Sequence, residues 1–209
     1  MAYLGNGVEF HLQCGDFELW NMVLCGYPGS GKTTLARRLV VDHPYFARIG
    51  VDELRQMLFN EVPPCRDEFL VYSTIAEMRD ELLKRGYSVV TDSTAPDNVT
   101  REFLLTTKVK FINRLLVVLN VEREILTKRN IEKFGNADAV FVWDERWEKP
   151  KGGIPIFKFK SNNMEEFSEY YARLKELLES EIHPFKQEFH SALLPLKELR
   201  KALQNFLKN

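Results

Sequence analysis

Eight residues constrain this chain more than any others: Gly26-Tyr27-Pro28-Gly29-Ser30-Gly31-Lys32-Thr33. Its two outer glycines, lysine and threonine satisfy the pattern G-x-x-x-x-G-K-[ST]. In front of it lies LWNMVLC (19–25), an apolar run of strand length, and behind it LARRLVVDH (35–43), which has helical spacing. A strand, a glycine-rich turn and a helix in that order let successive backbone N–H groups turn inward round an anion, with the positive end of the helix behind them. The expected nucleotide-binding set is Gly26, Pro28, Gly29, Ser30, Gly31, Lys32, Thr33 and Thr34. In this arrangement Lys32 neutralises the β- and γ-phosphates of a triphosphate such as ATP, and Thr33 ligates Mg²⁺.

The rest of the chain repeats the alternation. YFARIGV (45–51) reads as a strand, and DELRQMLF (52–59) as a helix with its acids at the start, ended by Pro63 and Pro64. Asp67 to Arg85 has helical spacing, with Phe69, Leu70, Ile75, Met78, Leu82 and Leu83 apolar and Gly86 as its stop. YSVVTDST (87–94) gives a third strand and exit loop, Pro96 is expected to open the next helix, and FINRLLVVLN (111–120) reads as a buried fourth strand. EREILTKRNIEKFG (122–135) follows as a charged helix; a loop through Trp143, Trp147 and Pro150 then leads to a fifth strand, IPIFKF (154–159), and a last helix over 164–182. The fold class is therefore α/β: a five-stranded parallel sheet with helices on both faces, with ligands expected at the carboxyl ends of the strands. Residues 1–182 form the main domain, with 122–150 as a lid, and 183–209 form a helical extension interrupted at Pro195.

Composition narrows the class further. A chain of 209 residues, 44% hydrophobic and 28% charged, suits one core. No apolar run approaches the roughly 18 residues that cross a bilayer, and MAYLGNGVEF lacks a signal-peptide layout, so a cytoplasmic, membrane-free protein is expected. Cys14, Cys25 and Cys65 read as reduced thiols, and the four histidines show no metal-ligand spacing. A net charge of −1 gives no general field for a polynucleotide, so nucleic-acid contacts would be local, for instance through the basic residues of the tail.

Second motifs separate the possible uses of a nucleotide. The chain has no N-K-x-D for guanine, and the Asp52-Glu53 pair, 20 residues beyond Lys32, lies too early for a motor's hydrolytic acid. The position of Asp52 suits a base that takes the proton of an attacking hydroxyl, with Arg55 one turn on to hold an anionic acceptor. Asp92 ends the third strand at the same edge, where it can serve magnesium or orient Arg55. Arg123, Lys128, Arg129 and Lys133 gather on the helix after the fourth strand, the place for a mobile lid whose cations stabilise transferring phosphate. Tyr27, Trp143 and Trp147 could stack on a base or pack the lid shut. An ATP-hydrolysing regulatory or assembly protein without a phosphoryl acceptor stays open as a rival.

GYPGSGKTT, VDELR, TDST and KRNIEKFG together resemble the P-loop kinases of the polynucleotide kinase type, and especially the O-phosphoseryl-tRNA kinase family, over roughly residues 20 to 180. The resemblance implies a phosphotransferase with ATP and magnesium as cofactors. Asp52 would be the general base, Arg55 the acceptor contact, Asp92 their support and Arg129 the lid cation. Where that family has a second lid arginine followed by glycine, this chain has Lys133, with Phe134 before Gly135. The resemblance favours a hydroxyl on an RNA or DNA end or on tRNA. The neutral charge, and the mere 27 residues after the core where those kinases carry a tRNA domain, favour a small metabolite or nucleotide.

Overall fold

A computed structural model describes residues 19–61 and 63–180. Five strands, β1 (Trp20–Cys25), β2 (Phe46–Gly50), β3 (Ser88–Asp92), β4 (Asn113–Asn120) and β5 (Ile156–Lys160), form one parallel sheet in the order β2-β3-β1-β4-β5. Among the described residues seven helices surround it: α1 (Lys32–Asp42), α2 (Val51–Phe59), α3 (Glu68–Lys84), α4 (Asn98–Leu105), α5 (Arg123–Phe134), α6 (Asp138–Arg146) and α7 (Met164–Ser180).

The apolar continuity of β1 and β4 has its cause in this order. β1 lies at the centre with every residue buried, and its alternate side chains enter two different cores. Met22 and Leu24 join Leu115, Val117, Leu35, Leu39, Phe159 and Leu174 on the α1 and α7 face. Val23 and Cys25 join Leu116, Val118, Val71, Ile75 and Leu104 on the α3 and α4 face. Each fully buried Leu or Ile contributes about 2 kcal/mol, so truncating Leu24 or Ile75 to Ala costs about 2–5 kcal/mol once the cavity is included. Asn21 is buried on β1 because its Nδ2 donates to the Leu104 and Leu105 carbonyls, closing the last turn of α4.

Helix ends follow their local chemistry. Asp67 caps α3 by accepting from Leu70 N. The same helix ends in a Schellman turn in which Tyr87 N donates to Leu82 O and Gly86 N to Leu83 O. Two expectations are corrected. Helix α4 starts at Asn98, not at Pro96, because Asp97 accepts from Thr100 N at 2.7 Å and takes the cap. The expected loop before the fifth strand contains α6, which hides its helical pattern by burying only Val140 while leaving Phe141 and Val142 exposed. Residues 1–18, the end of the last expected helix and the tail 183–209 lie outside the described residues.

Candidate active site

The loop from Gly26 to Gly31 joins β1 to α1, as the sequence pattern requires. Gly29 has φ +80°, and a Cβ there would come within 2.8 Å of Asn130 Nδ2. Gly26 lies against the end of β4, where a Cβ would meet Leu119 O at 2.9 Å, so at both positions only glycine fits. Gly31 is the N-cap of α1 and supplies no side-chain cap, and the first turn of the helix carries no acid. The leading N–H groups of α1, those of Lys32, Thr33 and Thr34, thus lack a capping side chain, which fits an anion. Thr33 is half-buried and Thr34 exposed.

Lys32 is buried, and its ammonium donates to Gly26 O at 2.9 Å and Tyr27 O at 2.8 Å. Burial pulls its pKa down to about 8; Asp92 and Asp52 oppose the shift, and Lys133 adds to it by repulsion. A phosphate would supply what the loop withholds from this cation. Cys25, just before the loop, is inert as a nucleophile, since burial pushes its thiol up to about 11.

At the carboxyl edge beside the loop, two ion-pair networks organise the candidate acids. Arg55 is buried on α2; its Nη1 donates to Asp52 at 2.6 Å, while Nε and Nη2 fork onto Glu68 at 3.0 and 2.8 Å, with the Tyr72 ring 5.8 Å away. These carboxylates hold the Arg55 guanidinium firmly in its charged form against the cost of its burial. Asp52 itself stays exposed at the first turn of α2. Asp92 is buried at the end of β3 and meets Arg48 rather than Arg55: Arg48 Nη2 and Nε donate to Asp92 Oδ2 at 2.6 and 3.2 Å. Arg48 also pairs with Glu53. The absence of a Cβ at Gly50 makes room for that pairing, since one would lie 2.6 Å from the Glu53 carboxyl carbon and 2.9 Å from Arg48 Nη2.

Helix α5 rests on the phosphate loop. Arg129 donates to Gly29 O at 3.3 Å and to the Ser161 and Asn162 carbonyls at 2.7 and 2.9 Å. The buried Asn130 donates to Pro28 O at 2.9 Å, and Ser161 Oγ to Ser30 O at 2.7 Å. The four expected lid cations are therefore divided. Arg129 fastens the helix, Lys133 lies near enough to Lys32 to repel it, Arg123 forks onto Asp144, and Lys128 faces Glu132 on the exposed side. Tyr27 donates to Asp144 at 3.0 Å and packs on Trp147 with ring centroids 5.2 Å apart. Trp147 lies in turn against Arg101, and Trp143 against Arg146. Each of these rings thus already has a neighbour within the chain.

Arg48, Glu68, Asn130 and Ser161 escaped the sequence reading. Arg48 left a signal, a lone cation in the apolar strand YFARIGV just before its exit acids. Glu68 left none, because its partner Arg55 lies 13 residues back across a proline-broken turn.

Fold and site together define a P-loop kinase-like nucleotide-binding domain. Residues 22–152 match the family described as "AAA domain", and the chain belongs to that family. No curated protein sequence matches it. Among solved structures it is similar to a gluconokinase from Sinorhizobium meliloti 1021, at 20% identity and a TM-score of 0.56 over 80% of this chain and 99% of the other. It is also similar to the Mycobacterium tuberculosis APS kinase CysC in complex with AMPPNP and APS, at 16% and 0.57 over 77% and 98%. A third likeness is to Chaetomium thermophilum Kti12 in complex with ADP-AlF3, at 15% and 0.52 over 75% and 98%. No helix among the described residues is long and apolar enough to cross a membrane.

Proposed function

We propose that this protein is an ATP- and Mg²⁺-dependent kinase that moves the γ-phosphate to an acceptor hydroxyl. The observation that carries the reading is the position of Lys32, buried under an uncapped helix start and close enough to Asp52 and Asp92 to feel both charges. Nucleotide cation and candidate base thus share one edge of the sheet. The acceptor oxygen forms its bond to the γ-phosphorus as its proton passes to the exposed Asp52 carboxylate. The bond from the γ-phosphorus to the bridging oxygen breaks, and ADP leaves with its new charge met by Lys32 and the α1 N–H groups. Arg55 aims Asp52, and Arg129 keeps α5 seated over the loop.

The residues present fit magnesium in a limited way. Among the described residues no three His, Cys, Asp or Glu gather round a point, so the ion would depend mainly on phosphates and water. Thr33 would supply a hydroxyl. Asp92, already paired with Arg48, would supply a carboxylate to the ion or its waters. When bound, the ion neutralises phosphate charge. The test is ADP formation that depends on an added alcohol and on Asp52, in a variant that still binds ATP.

A further inference from the structure

The acceptor side of the site has a charge balance that its sequence does not reveal. Arg55, the cation placed to meet an acceptor, is already committed. Its Nε and Nη2 are spent on the Glu68 fork and one Nη1 hydrogen on Asp52. Glu68 is fixed in this role from its other side, because Oε1 also accepts from Cys65 N at 2.9 Å. The neighbouring cation, Arg48, is likewise spent on Asp92 and Glu53. Four carboxylates thus pair with two guanidiniums along this edge, while Lys32 feels the charges of Asp52 and Asp92 from the phosphate loop and Arg37 acts on Glu53.

A phosphate or carboxylate entering here would have to break a two-bond charge-assisted fork and then lie beside Asp52. A neutral hydroxyl needs only an acceptor for its proton, which Asp52 provides. Resting on the kinase reading above, we infer that the acceptor is an alcohol carrying no phosphate or carboxylate beside the reacting hydroxyl, a polyol or amino alcohol rather than a polynucleotide end. Glu68 enforces that choice as a positioning residue, by withholding Arg55 from anions.

The experiment is γ-phosphate transfer from ATP and Mg²⁺ to matched acceptor pairs. These are glycerol and glycerol 3-phosphate, ribose and ribose 5-phosphate, ethanolamine and serine, and a nucleoside beside a 5′-hydroxyl oligonucleotide. The expected result is a kcat/KM at least tenfold higher for the member without an anion. Glu68→Gln should narrow that ratio about fivefold by lowering KM for the anionic member, with ATP affinity unchanged as the check on folding. Wild-type preference for the anionic member, or for the oligonucleotide, overturns the inference and leaves the kinase standing. An unchanged ratio in a folded Glu68→Gln protein overturns the role of Glu68. Absence of label from every acceptor removes the kinase reading itself, and this one with it.

Discussion

Arg48 on β2 reaches across to Asp92 at the end of β3, with Nη2 2.6 Å from Oδ2, and so neutralises the buried carboxylate beside the phosphate loop. In the parallel register Arg48 lies two residues before Gly50, which faces Asp92. The bare Cα of Gly50 opens the path along which the guanidinium meets both Asp92 and Glu53. The candidate magnesium acid therefore has a guanidinium partner before any ion arrives.

Removing Arg48 should leave Asp92 buried and unpaired. Arg48→Ala is expected to cost about 3 kcal/mol of stability, the usual result of breaking a buried pair from one side. Added Mg²⁺ with nucleotide should restore more of the loss than it adds to the wild type, as read by thermal unfolding. A variant as stable as the wild type would mean that Asp92 does not need this partner.

The pKa of Lys32 makes nucleotide binding a proton-linked event. Lys32 ordinarily titrates near 10.5 and here near 8, so between those values the unfolded chain holds a proton that the folded one lacks. The cost of burying the charge is thus full below about pH 8 and relieved above it. A bound triphosphate restores the charge. Calorimetry of ATP binding at pH 8.5, in buffers of different ionisation enthalpy, should show uptake of a large fraction of a proton, fading toward pH 7. Proton release, or no buffer dependence, would contradict the assignment.

Gly29 tests the contact between the phosphate loop and α5. Gly29→Ala combines a left-handed φ, costing about 1–2 kcal/mol, with a methyl 2.8 Å from Asn130 Nδ2. ATP affinity should fall at least tenfold. Adding Asn130→Ala should recover only the steric share, which a double-mutant cycle of nucleotide affinities resolves.

Arg129 spans three carbonyls from two segments, a task for a planar fork rather than a point charge. Arg129→Lys is therefore expected to lose most of what Arg129→Ala loses, about tenfold to a hundredfold in kcat. Near wild-type turnover for the lysine variant would mean that only its charge matters.

Much of this was legible in the sequence, and the reasons are local. The phosphate loop is contiguous, and its spacing carries its own mechanism. β1 and β4 announced themselves because a central parallel strand is buried on both faces. Helix α6 stayed hidden because one buried valine leaves no periodicity. The Arg48–Asp92 and Arg55–Glu68 pairs join residues 44 and 13 positions apart, so only the pairing of β2 with β3 and the packing of α2 on α3 bring them together. The reading of the lid cations showed the same limit: a run of four cations reads as one cluster, whereas the helix puts each in a different setting.

The most direct test is transfer of labelled γ-phosphate from ATP with Mg²⁺ to a panel of 5′-hydroxyl RNA and DNA, total tRNA, nucleosides and small alcohols, with Asp52→Asn as the control. The expected result is label on one acceptor class, reduced by about a hundredfold or more in the variant, with ATP affinity kept. Free phosphate as the sole product, at a rate the variant does not change, would contradict the account and point to a protein whose ATP hydrolysis gates a partner.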